Sequence, residues 1–257
     1  MFQVLDKFTA LVDSFTKRFE DNMDWSGRDF WIGFASVLLL ATTLRFWNLS
    51  GLPIWMDESV TLAFARMPLD MIIFNEIDYH PPLSYVVQHI WHNIVPDPAF
   101  ARVPAAIAGT ATVALLLLMV RDCVSNRAAI FSGLFLALST SHIHYSQEAR
   151  MYVFLCLGMA IALWGTMGII SGKGQHRKTT YRIMFVLGGV IAIYSQIIGL
   201  PVMALLSLSL LVHSVVSEDR NRELAGWFIL NFILFLFTPL ILLQIFTLQD
   251  HSVDWAP

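Results

Sequence analysis

Four groups of residues have types and spacings that could carry chemistry. Asp57-Glu58, in the segment Leu52-Pro53-Ile54-Trp55-Met56-Asp57-Glu58-Ser59, offers two adjacent carboxylates. One of them could take a proton from a hydroxyl nucleophile. The pair would equally suit the first turn of a helix, where Asp caps and Glu complements the dipole. Glu76-Ile77-Asp78-Tyr79-His80-Pro81-Pro82-Leu83 brings two acids, a phenol and an imidazole to a proline-stiffened turn; its plainer reading is a helix start with solvated charges. Tyr145-Ser146-Gln147-Glu148-Ala149-Arg150-Met151-Tyr152 holds a guanidinium whose planar fork suits a phosphate. Its plainer reading is that Glu148 and Arg150 pair with each other. His89 and His92 lie three apart, but two imidazoles without a third ligand more often make one face of an interfacial helix, so no metal ligands are assigned.

The elements that must position these residues follow from composition. The chain has 257 residues, 56% apolar and 14% charged, with a mean hydropathy of +0.64. A soluble globule needs about 25% charged residues to coat it, and disorder needs low hydrophobicity with high charge. Sixteen Lys and Arg against nineteen Asp and Glu leave no basic face, which argues against nucleic-acid binding. The expected fold class is an all-α membrane protein. Seven apolar segments, near 30–47, 102–120, 128–143, 151–170, 181–196, 199–216 and 224–247, approach the length of a membrane-crossing helix.

Lys and Arg fix the expected orientation. With the N-terminus inside, the inner segments hold Lys7, Lys17, Arg18, Arg28, Arg121, Arg127, Lys173, Arg177, Lys178, Arg182, Arg220 and Arg222. Only Arg45, Arg66, Arg102 and Arg150 fall outside. Residues 1–29 lack the apolar run of a signal peptide, and Phe2, Leu5, Val12, Phe15 and Phe19 recur at helical spacing, as an amphipathic helix on the inner surface would have them. Residues 30–257 form the membrane module, with a large first outer loop at 48–101. Within that loop Ser84–Val95 is too short and too polar for a span and is expected to be an interfacial helix. Cys123 and Cys156 fall at different membrane depths, so no disulfide is expected between them.

Most of the histidines, and Asp57, Glu58, Glu76, Asp78, Glu148 and Arg150, then gather on the outer side, as they would around a polar cavity. No glycine-rich phosphate loop is present. A phosphorylated donor would therefore reach the outer face as a lipid.

Trp55-Met56-Asp57-Glu58, then Asp78-Tyr79-His80-Pro81-Pro82-Leu83, then Tyr145 to Tyr152, in this order, resemble the integral-membrane GT-C glycosyltransferases. The similarity is to the bacterial branch related to protein O-mannosyltransferases and to the aminoarabinose transferase of lipid A. It covers roughly residues 28–257. The resemblance implies a module of seven spans and a polyprenyl-phosphate-linked sugar donor. It implies transfer to a lipid, glycan or protein acceptor at the periplasmic or outer face of a bacterial inner membrane. Asp57 is similar in position to the family's catalytic base. Arg150 is then the first candidate for the donor phosphate, with Arg102 and Arg45 as weaker ones, and Glu58, Asp78, Tyr79, His80, Tyr145 and Glu148 would bind substrate or support the site. Some GT-C enzymes use a divalent metal, whereas most of this branch work without one. Family members are usually longer, so the chain is expected to be a fragment or a short member needing a partner. Two rival readings stand beside the transferase: a transporter or flippase, which would place polar residues at mid-membrane and show repeat symmetry, and an inactive truncated module that keeps only the fold.

Overall fold

The computed structural model describes residues 26–51, 53–74, 80–172 and 177–239. Every regular element among them is a helix: α1 (Gly27–Phe46), α2 (Met56–Phe64), α3 (Leu69–Phe74), α4 (Leu83–Ile94), a 3₁₀ turn (Pro98–Phe100), α5 (Val103–Cys123), α6 (Asn126–Leu138), α7 (Thr140–Ser146), α8 (Tyr152–Ile170), α9 (Lys178–Ser195), α10 (Gly199–Val216) and α11 (Arg220–Phe237). The surface helix expected at the N-terminus falls almost wholly outside the described residues, as does the end of the last expected span.

Among the described residues four helical stretches are long and apolar enough to cross a membrane: Gly27–Phe46, Pro98–Cys123, Tyr152–Ile170 and Gly199–Val216. The other three expected spans differ for visible reasons. The run at 128–143 is broken: α6 stops at Leu138, Ser139 turns extended at φ −63° and ψ 113°, and its hydroxyl accepts from the His142 N–H to start α7. Helix α9 opens on Lys178 and carries Arg182, and α11 opens on Arg220, Arg222 and Glu223. These charged first turns lower the apolar length. The expected interfacial helix is α4, twelve residues long.

Local chemistry explains the boundaries. Ser26 and Asp29 form a reciprocal capping box at the start of α1 (Asp29 N–H to Ser26 Oγ 3.2 Å, Ser26 N–H to Asp29 Oδ2 3.3 Å). Ser125 caps α6 by accepting from the Ala128 N–H at 3.2 Å. After α1 the chain reverses through Asn48, whose φ of 54° lies in the left-handed region that Asn tolerates.

Packing forms two lobes joined by α5 and α8. Val37 and Ala41 of α1 bury against Val113 and Leu117 of α5 and Ala137 of α6. Ala105 and Ala108 of α5 meet Val153 and Phe154 of α8, with Leu83 and Val87 of α4 against them. In the second lobe Ala162, Phe185, Ile193, Met203, Leu210, Leu230 and Leu234 make one cluster across α8 to α11. The seam between α8 and α9 is made of small residues. A Cβ on Gly188 would stand 2.3 Å from the Ala162 nitrogen and 2.6 Å from the Gly158 carbonyl, and one on Gly165 would stand 2.6 Å from the Phe185 nitrogen. Such contact suits lipid, where association rests on close packing. Outward faces remain apolar: Leu205, Leu208 and Val212 on α10 and Phe228, Phe232 and Phe235 on α11 are exposed. Nothing among the described residues covers this apolar belt, as expected for helices of an integral membrane protein that face lipid.

The two ends of the bundle differ. Arg121, at the C-terminal end of α5, lies over the rings of Phe30 (4.3 Å) and Trp31 (4.9 Å) at the start of α1. Nearby in sequence, Asp122 accepts from Tyr181 Oη at 2.6 Å and Trp164 Nε1 at 3.2 Å, and Lys178 pairs with Glu223. The end that the charge bias assigns to the outside holds Arg45, Asp57, Glu58, Arg102, Glu148 and Arg150.

Candidate active site

Helix α2 begins at Met56 with Trp55 as its N-cap, which puts Asp57 and Glu58 in the first turn. The pair thus does lie at a helix start, with Trp55 rather than Asp57 as the N-cap. Glu58 Oε2 accepts the Trp55 N–H at 3.5 Å as a capping group would. The same carboxylate is wholly buried and gripped by Arg102, with Nε to Oε1 at 2.8 Å and Nη2 to Oε2 at 2.6 Å. A third donor, the Ala149 N–H, reaches Oε1 at 2.8 Å. Burial alone pushes the Glu58 carboxyl up, but the Arg102 and Ala149 hydrogen bonds and the Arg102 charge outweigh it and hold the group below the usual carboxylate range.

Arg102, the N-cap of α5, also donates from Nη1 to the Leu49 carbonyl at 2.8 Å and from Nη2 to the Pro53 carbonyl at 3.1 Å. Its fork therefore ties the post-α1 turn, α2 and α5 together. Arg45 is likewise buried, its two Nη groups on the carbonyls of Ala41, Leu136 and Ala137 and on His142 Nδ1. Both weaker candidates for the donor phosphate thus spend their Nη donors on the protein, although Arg45 Nε, like Arg150 Nε, has no acceptor among the described residues.

Arg150 and Asp57 are held more loosely. Arg150 Nη2 lies 3.5 Å from Asp57 Oδ2, and Nη1 donates to the Asp57 carbonyl and Thr61 Oγ1, each at 3.2 Å. The Asp57 side chain is 45% exposed while that of Arg150 is 6% exposed. Arg150 Nε has no acceptor among the described residues. The side chain of Glu148 does not pair with Arg150: its Oε1 lies 3.0 Å from His144 Nε2, an ion pair when the imidazole is protonated, and its buried Oε2 has no hydrogen-bond partner among the described residues. Burial, then the charge of Glu58, pushes the Glu148 carboxyl up against the opposing pull of His144, Arg150 and Arg102.

Tyr145 packs its ring 4.8 Å from Tyr152 and 5.4 Å from His144 and is partly exposed. His80 sits half-buried just ahead of α4. Asp78 and Tyr79 lie outside the described residues. His89 Nδ1 meets the Ala65 carbonyl at 2.9 Å, which ties α4 to the end of α2. Among the described residues no three His, Cys, Asp or Glu side chains converge as a metal site would require. Two contributors escaped the sequence reading. Thr61, one turn after Asp57, is signalled only by its i+4 spacing, and the Ala149 backbone N–H carries no side-chain signature at all.

The site therefore joins three segments: the start of α2, the N-cap of α5 and the turn between α7 and α8. It offers one locked carboxylate, one open carboxylate and one lightly committed guanidinium, a set suited to deprotonating a hydroxyl beside a phosphate. Among curated proteins no relative matches the chain. Residues 79–242, well over half of the chain, match the dolichyl-phosphate-mannose-protein mannosyltransferase family. That stretch takes in α4 to α11, including Arg102, Glu148 and Arg150. The chain is a membrane protein that belongs to this family of GT-C-type glycosyltransferases.

Proposed function

We propose that the protein transfers a sugar from a polyprenyl-phosphate carrier to a hydroxyl acceptor (lipid, glycan or protein) at the outer face of a bacterial inner membrane. In this reading α1, α5, α6 with α7, α8, α9, α10 and α11 are seven spans, with the N-terminus inside. The charge bias supports that orientation, and the separation of the Arg121 end from the Asp57 end supports the alternation.

The observation that carries the proposal is the contrast between the two ion pairs. Glu58–Arg102 is short, two-pronged and buried, a structural fixture. Asp57–Arg150 is long and half-open, and Arg150 keeps an unspent Nε–H. Asp57 can accept the proton of an incoming hydroxyl as that oxygen bonds to the anomeric carbon and the carbon–oxygen bond to the carrier phosphate breaks. Arg150 then holds the departing phosphate, stabilising charge where it develops. Direct displacement inverts the anomeric centre. Arg102 and Arg45 brace the frame, and Glu148, His80, Asp78, Tyr79 and Tyr145 are supporting groups for substrate.

The test is transfer from polyprenyl-phosphate sugars by the purified protein in lipid nanodiscs. Asp57→Asn should abolish transfer while the thermal midpoint stays within a few degrees of the parent. Full turnover in that variant would remove the mechanism.

A further inference from the structure

Helices leave their last four carbonyls without an intrahelical donor, and in apolar surroundings each unmet carbonyl is costly. Two helices that end beside the site, α1 and α6, are served by side chains from neighbouring segments: Gln147, the C-cap of α7, for α1 and Arg45 of α1 for α6. At the end of α1, Gln147 Nε2 donates to the carbonyls of Leu44 (3.0 Å), Arg45 (3.4 Å) and Trp47 (3.0 Å). At the end of α6, Arg45 Nη2 donates to the Leu136 carbonyl (3.1 Å) and Nη1 to the Ala137 carbonyl (3.3 Å). Arg45 Nη2 also meets His142 Nδ1 at 2.9 Å. A guanidinium can only donate, so that nitrogen accepts and the ring carries its proton on Nε2.

We infer that Arg45 and Gln147 form a brace that positions the 148–150 turn against Asp57, with Gln147 as its working positioning residue. The residues after Gln147 are those that build the site. Glu148 turns to His144, the Ala149 N–H binds Glu58, and Arg150 reaches Asp57 and Thr61. The turn is pegged to α1 on one side and to α2 on the other. Arg150 is sensitive to this setting because its contacts are already at 3.2–3.5 Å. A shift of a few tenths of an ångström takes them out of hydrogen-bond range. The inference rests on the proposed phosphate role of Arg150.

Undecaprenyl phosphate, the carrier without its sugar, is the probe. Binding to protein in nanodiscs is compared for the parent, Gln147→Met, Arg150→Ala and the double variant. Methionine keeps the volume and removes the donors. Arg150→Ala should weaken binding by roughly tenfold or more, the loss of one charge-assisted hydrogen bond. Gln147→Met should weaken it by a similar factor. The double variant should bind no worse than Arg150→Ala alone, because one residue acts through the other. Parent-like binding by Gln147→Met, or a double loss equal to the product of the single ones, overturns the brace. Undiminished binding by Arg150→Ala overturns the phosphate role instead. A ligand-free arm separates the two failures. Spin labels at Met56→Cys and Ser141→Cys, both exposed, in a background with Cys123 and Cys156 replaced by Ser, report the distance from α2 to α7. Gln147→Met should broaden that distribution, and an unchanged one overturns the brace whatever the lipid phosphate does.

Discussion

Asp57 and Glu58 are adjacent in the chain, yet their carboxylates face two different arginines 48 residues apart in number, Arg150 and Arg102. Glu58 is wholly buried and takes two short hydrogen bonds from its partner; Asp57 is nearly half exposed and sits 3.5 Å from its own. One first turn of α2 therefore supplies both the anchor of the site and its free base.

That division predicts a split between stability and activity. Glu58→Gln leaves the buried Arg102 charge without its partner and should cost about 3–5 kcal/mol. Asp57→Asn, at an open pair, should cost about 0–1 kcal/mol. Denaturation in detergent, followed by tryptophan fluorescence, reads both. The pH dependence follows from the depressed Glu58 value. Its contribution is present above the ordinary glutamate range and is lost as pH falls through the folded-state value. Glu58→Gln should therefore flatten the acid limb of the stability profile.

Glu148 has the opposite sign. Its carboxyl is raised in the folded protein, so ionisation penalises folding, and stability falls as pH climbs from the ordinary glutamate range through the folded value. Glu148→Gln mimics the protonated form. The difference in thermal midpoint, variant minus parent, should grow more positive between pH 4 and pH 7. A difference independent of pH would show that the buried Oε2 is not the source.

The small-residue seam gives a third expectation. Gly188→Val places a side chain where a Cβ already meets backbone at 2.3 Å, and overpacking of this kind costs about 1–3 kcal/mol. Gly27→Ala, where the Cβ has nothing within 4 Å, should be neutral or stabilising. Thermal scans of the two variants side by side distinguish crowding at the seam from a general intolerance of glycine replacement.

Residue chemistry made part of this protein legible and hid the rest for definite reasons. Apolar length marked the long helices, because a hydrocarbon layer sets how many apolar residues a crossing needs. The break at Ser139 was obscured: Ser139-Thr140-Ser141 reads as ordinary small residues inside an apolar run, and only the Ser139 hydroxyl on the His142 N–H reveals a helix start. Asp57 and Arg150 stood out as ionisable groups at a membrane edge, and the structure puts them in contact. The pairing did not follow from proximity in the chain. Glu148 and Arg150, two apart, look like partners, yet Glu148 turns to His144 and Arg150 to Asp57. In the sequence Arg45 and Arg102, at the outer ends of expected spans, are weaker phosphate candidates than Arg150. What separates them is which acceptors surround each guanidinium, a property of three-dimensional neighbours. Gln147 gave no signal, since an amide that caps another helix follows no spacing rule.

The glycine contacts between α8 and α9 bear on traffic through the site. Backbones that touch at Gly158, Gly165 and Gly188 leave no slot through which a lipid tail could slip, so this pair of helices is a closed wall. Arg150 sits two residues ahead of that wall's first turn, on the turn leading into α8. The carrier lipid of the proposed reaction therefore reaches Arg150 by a route other than the one between α8 and α9.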